Sequence, residues 1–133
     1  MDNWFSQLEE TILTQLDYML AQRQDAPFPN LVCTSANQNQ LTAFPTMYVH
    51  ELEPAETGND LENQTINAVI ETIEIQCWTN ETEAECRRLM SAVILEMKRM
   101  RFTCTAFPNI QTDNKIAFGI ARFRRIIGSG DTL

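Results

Sequence analysis

In the stretch Gln64-Thr65-Ile66-Asn67-Ala68-Val69-Ile70-Glu71-Thr72-Ile73-Glu74-Ile75-Gln76-Cys77-Trp78-Thr79, apolar and polar side chains alternate in the period of a strand. Val69, Ile73, Ile75 and Cys77 fall on one face; Ile70, Thr72, Glu74, Gln76 and Trp78 fall on the other. Fully extended at ~3.3 Å per residue, it would span roughly 50 Å, longer than an ordinary strand. Part of it is therefore expected to project beyond its sheet or to bend at a bulge.

A helix comes next along the chain. Thr82-Glu83-Ala84-Glu85 has the form of a capping box, in which threonine and glutamate satisfy each other's free amides. Cys86, Leu89, Met90, Val93, Ile94 and Met97 then trace one apolar face. Glu81, Glu83 and Glu85 stand at the positive end of the helix dipole, and Lys98, Arg99 and Arg101 at its negative end. Beyond it, Phe102–Ala106 returns to strand alternation, Pro108 to Lys115 reads as a loop, and Ile116 to Ile127 as the last strand. The tail 128–133 is expected to fray.

Upstream, Phe5, Leu8, Ile12, Leu16, Met19 and Leu20 recur at helical spacing over residues 3–22. The Pro27 and Pro29 region ends that helix. Leu31 to Thr34 and Thr46 to His50 read as strands. Glu51 to Asn63 holds Pro54, Gly58 and five acids, and reads as a mobile loop. The order α-β-β-β-α-β-β, with both helices amphipathic, predicts an α+β fold: an antiparallel sheet with the two helices packed on one face.

A chain of 133 residues fits one domain, 1–133. With 44% hydrophobic and 21% charged residues, it is expected to fold without metal or disulfide staples. Met1 to Glu10 carries Asp2, Glu9 and Glu10 and no basic region, so cytoplasmic synthesis is expected, with no membrane span. Cys33, Cys77, Cys86 and Cys104 are widely spaced among apolar neighbours and read as buried, reduced thiols. The net charge of −8 hides a polarity. Residues 1–86 carry fifteen acidic groups and one basic, a net of −14; residues 87–133 carry nine basic and three acidic, a net of +6. This suits charge-complementary association, or two solvated faces of one monomer. The acidic total disfavours general nucleic-acid binding.

Signals for chemistry are few. His50 is the only histidine, so a Ser-His or Cys-His scheme would have to use it. The four glycines never approach a phosphate-binding loop. The acids between 51 and 62 lack the ligand spacing of an EF-hand. No cofactor and no metal is expected, and no enzymatic activity. In the last strand Arg122 and Arg124 share a face with Phe118 and Ile120, while Arg125 lies opposite with Phe123. Arginine mixed with apolar side chains suits a protein interface, or an edge strand guarded by charge.

The pattern Phe44-Pro45-Thr46-Met47-Tyr48-Val49, then an acidic loop, then Thr65-Ile66-Asn67-Ala68-Val69, resembles the tail-terminator (tail-completion) proteins of long-tailed bacteriophages. The capped helix from Thr82 to Met90 and the ending Ala121-Arg122-Phe123-Arg124-Arg125-Ile126-Ile127-Gly128 fit as well, so the likeness spans most of the chain. It implies an α+β structural subunit that forms a six-fold ring, caps the tail tube and joins it to the head. The implied partners are further copies of the chain, the major tail tube protein and head–tail connector or neck proteins. DNA would pass through without specific binding, and the implied location is the virion, at the head–tail junction. In such a ring one acidic surface can meet one basic surface at every junction. Arg122, Arg124 and Arg125 are the candidate interface residues, and Glu51, Glu53, Glu56, Asp60 and Glu62 the candidate bore- or tube-facing acids. Two other readings stay open: a head-closure or connector neck protein, and a small cytosolic enzyme or ligand-binding domain with a pocket at His50.

Overall fold

A computed structural model of the chain describes residues 4–36, 43–59 and 66–133. Its first helical segment begins with a 3-10 turn, Trp4–Gln7, continues as α1, Leu8–Asp17, and closes with a π-helical turn, Tyr18–Gln22. The strands are β1 (Val32–Thr34), β2 (Thr46–Glu51), β3 (Ala55–Asn59), β4 (Ile66–Thr79), β5 (Thr103–Ala106), β6 (Gln111–Asp113) and β7 (Ile116–Gly128). The second helix, α2, is Glu83–Arg99. The fold is α+β: two helices and one seven-stranded, mostly antiparallel sheet.

Its strands run in the order β1-β2-β4-β7-β5, with β3 on β4 and β6 on β7. The expected order lacked two strands. β3 lies in the stretch expected to be a mobile loop, and β6 in the loop before the last strand. The two are linked to the length of their neighbours. β4 is long because it is paired along both edges, not because it projects. β7 covers Ala68–Thr79 on one side; on the other, β2 covers Ile73–Trp78 and β3 covers positions from Ile66 to Ile70. β6 closes a tight hairpin onto β7 through Asn114 and Lys115, both at positive φ (51° and 65°). Two successive left-handed residues give the twist that a two-residue hairpin needs. One further difference is that β1 pairs with β2 in parallel.

Alternation in β4 and β7 sorts the sheet into two faces. Val69, Ile73, Ile75 and Cys77 are buried on one, together with Ala117, Ala121, Phe123 and Ile127. Both helices lie on that side: Leu8, Ile12 and Leu16 of α1, with Cys86, Leu89, Met90, Val93 and Met97 of α2, join the same core. The helix pairing expected from the sequence is thus what forms. Gly119 stands in this layer because space is short: a Cβ there would come 2.7 Å from Ile110 Cδ1 and 3.5 Å from Met90.

Thr82 caps α2, its Oγ1 accepting the Glu85 N–H at 3.2 Å. The reciprocal half of the capping box does not form, because the Glu85 carboxylate is held by Arg88 at 2.6 Å. All four cysteines are free, Cys77 and Cys86 fully buried, and burial pushes the Cys86 thiol up to about 11. The tail is tied back rather than loose at its start. Ser129 N–H donates to Asn67 O, Asp131 Oδ2 accepts the Gly128 N–H, and Arg101 donates to Thr132 O.

Candidate functional site

The sheet face away from the helices carries no second layer among the described residues. β2 contributes Tyr48 and His50 to it, β4 contributes Ile70, Thr72, Glu74, Gln76 and Trp78, and β7 contributes Phe118, Ile120, Arg122, Arg124 and Ile126. Cross-strand neighbours on one face interact directly. Ile70 stands opposite Ile126, Thr72 opposite Arg124, Glu74 opposite Arg122 and Trp78 opposite Phe118. Arg122 Nε donates to Glu74 Oε2 at 3.0 Å. This surface mixes apolar rings and chains with charge, as protein interfaces do. Ile126 is 55% exposed on it.

The three arginines singled out in the sequence part company here. Arg122 is held by Glu74 on the open face. Arg124, on the same face, is exposed and has no carboxylate partner among the described residues. Arg125 points to the helix side and is buried. Its guanidinium donates to Met100 O at 3.0 Å and to Asp131 Oδ2 at 3.4 Å. Desolvation, and the nearby charge of Arg101, hold its pKa below the usual arginine range. Arg125 is thus occupied inside the subunit.

The acidic stretch does not fold as one loop over its described part. Glu53 and Glu56 are exposed, Glu56 on β3. Glu51 ends β2, half-buried, with its N–H accepted by Glu9 Oε2 at 2.9 Å. Asp60 and Glu62 lie outside the described residues.

Glu71 was not among the residues picked out by sequence. It is 0% exposed on the helix side of β4, and neither carboxyl oxygen has a hydrogen-bond donor. Burial is the main cause pushing its pKa up, to about 9, and the neighbouring Glu51 and Glu9 add to it. Arg125 stands directly across the ladder from Glu71, yet its guanidinium turns to Met100 and Asp131. The signal was present in the sequence: position 71 belongs to the same alternation as Val69 and Ile73. Among the described residues, no group of His, Cys, Asp or Glu is arranged to hold a metal ion.

His50 is half-buried on the open face and stacks on Tyr48, with ring centroids 5.6 Å apart and planes inclined at 14°. None of four depressions among the described residues is lined by it. The depressions lie elsewhere. An apolar groove of about 520 Å³ separates α2 from the Phe107–Ile110 loop, with Leu95 and Phe107 exposed along it. A polar notch of about 500 Å³ sits where β7 runs past β5, between Arg101, Thr103, Arg124 and Arg125. No helix of the described residues is long and apolar enough to cross a membrane.

Neither a protein-family model nor a curated protein matches this sequence.

Proposed function

We propose that this chain is a structural subunit of the phage tail-terminator kind, which self-associates into a ring, caps the tail tube and joins it to the head. The observation that carries this reading is the sheet face that bears no second layer among the described residues, on which Ile70, Trp78, Phe118, Ile120 and Ile126 surround the Glu74–Arg122 pair. A sheet face of mixed apolar and charged side chains with no layer over it among the described residues is a surface suited to another protein. The resemblance carried by Phe44–Val49, Thr82–Met90 and Ala121–Gly128 supports a tail protein as the neighbour. On this reading DNA passes through the ring without specific binding, in keeping with the net charge of −8.

Negative-stain imaging of the purified chain across a concentration series tests this reading. Annular particles that sit on the ends of isolated tail tubes are the expected result. A chain that stays monomeric and never caps a tube overturns it. Annular particles that bind heads and ignore tubes favour a neck connector instead.

A further inference from the structure

The two edges of the sheet differ in charge and match in position. On one edge, β3 pairs with β4 alone among the described residues, so its outer N–H and C=O groups face away from the sheet. Glu56 projects from β3 on the helix side, since it stands opposite the buried Val69. On the other edge, β7 outruns its neighbour. β5 begins opposite Arg124, at Thr103, and beyond that point Ile126 and Gly128 have no strand outside them among the described residues. Ser129 N–H points inward, to Asn67 O at 2.9 Å, so alternation turns the groups of Gly128 and Ile126 outward. Asp131 takes both groups of Gly128, its Oδ2 accepting the N–H at 2.9 Å and its own N–H donating to the C=O at 3.1 Å, so Ile126 is the open position. Ile126 therefore faces the polar notch between β7 and the start of β5.

These two features stand at one level of the sheet. Ala55 lies opposite Ile70, and Ile70 opposite Ile126; Thr57 lies opposite Ala68, and Ala68 opposite Gly128. A second copy displaced sideways, without sliding along the strands, would bring its β3 to the notch. Charge fits as well. Arg101 and Arg124, at the notch, have no carboxylate partner among the described residues, while Glu53 and Glu56 are exposed at the β3 edge. The notch already takes one carboxylate: Asp131 Oδ2 accepts from Gly128 N–H at 2.9 Å and from Arg125. Arg101 lies on the helix side, where its guanidinium donates to Thr132 O, and so on the side from which Glu56 projects.

We propose that β3 of one copy adds to the edge of β7 at Ile126 in the next, with Glu56 meeting Arg101, so that the sheet continues from subunit to subunit. Edge-strand addition supplies main-chain hydrogen bonds, and the charge pair selects the register and the partner. This junction rests on the reading of the chain as a self-assembling subunit and gives that assembly its contact.

The test is sedimentation velocity on the full chain over a concentration series, with Glu56→Arg, Arg101→Glu and the double substitution. The wild type is expected to assemble. Each single substitution should raise the concentration for half-assembly by about tenfold or more, and the double should recover most of that loss. Melting temperatures of all four proteins check that they fold. Should a charge reversal fail that check, Glu56→Gln and Arg101→Gln replace it, and must weaken assembly in the same direction. Amide exchange on the wild type adds a second readout, since Ile126 and Ala55–Asn59 should slow on assembly. Assembly indifferent to both single substitutions, or a double no better than either, overturns the junction and leaves the ring reading standing. A wild type that stays monomeric overturns both. Loss of duplex DNA binding in Arg101→Glu, with assembly intact, would overturn the junction and assign the notch to phosphate.

Discussion

Glu71 sits on the helix side of β4 among Val69 and Ile73, with Glu51 and Glu9 as its acidic neighbours. An isolated carboxylate there would be costly, so the group keeps its proton. The consequence for stability has a definite sign. The unfolded chain releases this proton near 4.5, whereas the folded chain holds it to about 9. Between those values the folded state binds the extra proton, so stability falls as pH rises, at up to about 1.4 kcal/mol per pH unit. Melting curves from pH 5 to 9 should therefore show a loss in the wild type that Glu71→Gln largely removes. Parallel profiles for the two proteins would show that no proton is held there. The arginines of β7 offer a second contrast at this scale. Arg124→Glu should leave the melting temperature nearly unchanged and impair assembly, because its side chain is exposed and makes no ion pair among the described residues. Arg125→Ala should cost about 2–3 kcal/mol, since Met100 O loses a buried charged donor. Urea unfolding of both variants would separate a surface role from an internal one.

Elements with strong periodicity were legible in the sequence, and those whose reason lies in a neighbour were not. Residues 64–79 and 116–127 announce themselves by alternation, and α2 by its cap and its apolar face. β3 does not, because Pro54, Glu56 and Gly58 have no strand-like composition. It forms because the lower half of β4 would otherwise leave one edge unpaired, a tertiary cause that no local window contains. β6 had a faint local signal in Asp113-Asn114-Lys115, a turn of the kind in which asparagine tolerates positive φ. Of the candidate site, the arginine row on β7 was legible. The burial of Arg125 was not, since it depends on Met100 and Asp131 arriving from outside the strand. The cap of α2 gives a check on local reasoning. Thr82→Ala removes the acceptor of the Glu85 N–H and should cost about 1 kcal/mol, readable by thermal melting. Glu85→Ala should act through Arg88 instead, and by less, because an exposed ion pair contributes little.

On the scale of the whole molecule, the polarity of −14 against +6 is smaller in space than along the chain. Arg87 and Arg88 bind Glu83 and Glu85 within α2, and Arg122 binds Glu74 across the sheet. Much of the asymmetry is thereby neutralised inside one subunit. The charges left over at the sheet's two sides are specific: Glu53 and Glu56 at the β3 edge, Arg101 and Arg124 at the edge where β7 outruns β5. Groups of opposite sign on opposite edges attract copies head to tail, and a head-to-tail contact closes into a ring when the rotation between copies allows it. Such attraction between exposed groups is screened by salt, with the screening length falling from about 10 Å at 0.1 M to about 3 Å at 1 M. Association should therefore weaken over that range, chiefly through slower encounter, while the main-chain bonds of an added strand persist. Sedimentation velocity at the two salt concentrations would measure it. A reversed pair keeps the attraction, so the Glu56→Arg, Arg101→Glu double variant should retain the salt dependence of the wild type. Assembly equally tight at both salt concentrations would mean that the junction is apolar, formed by the open face around Ile120 and Ile126, and that the charged edges are solvated.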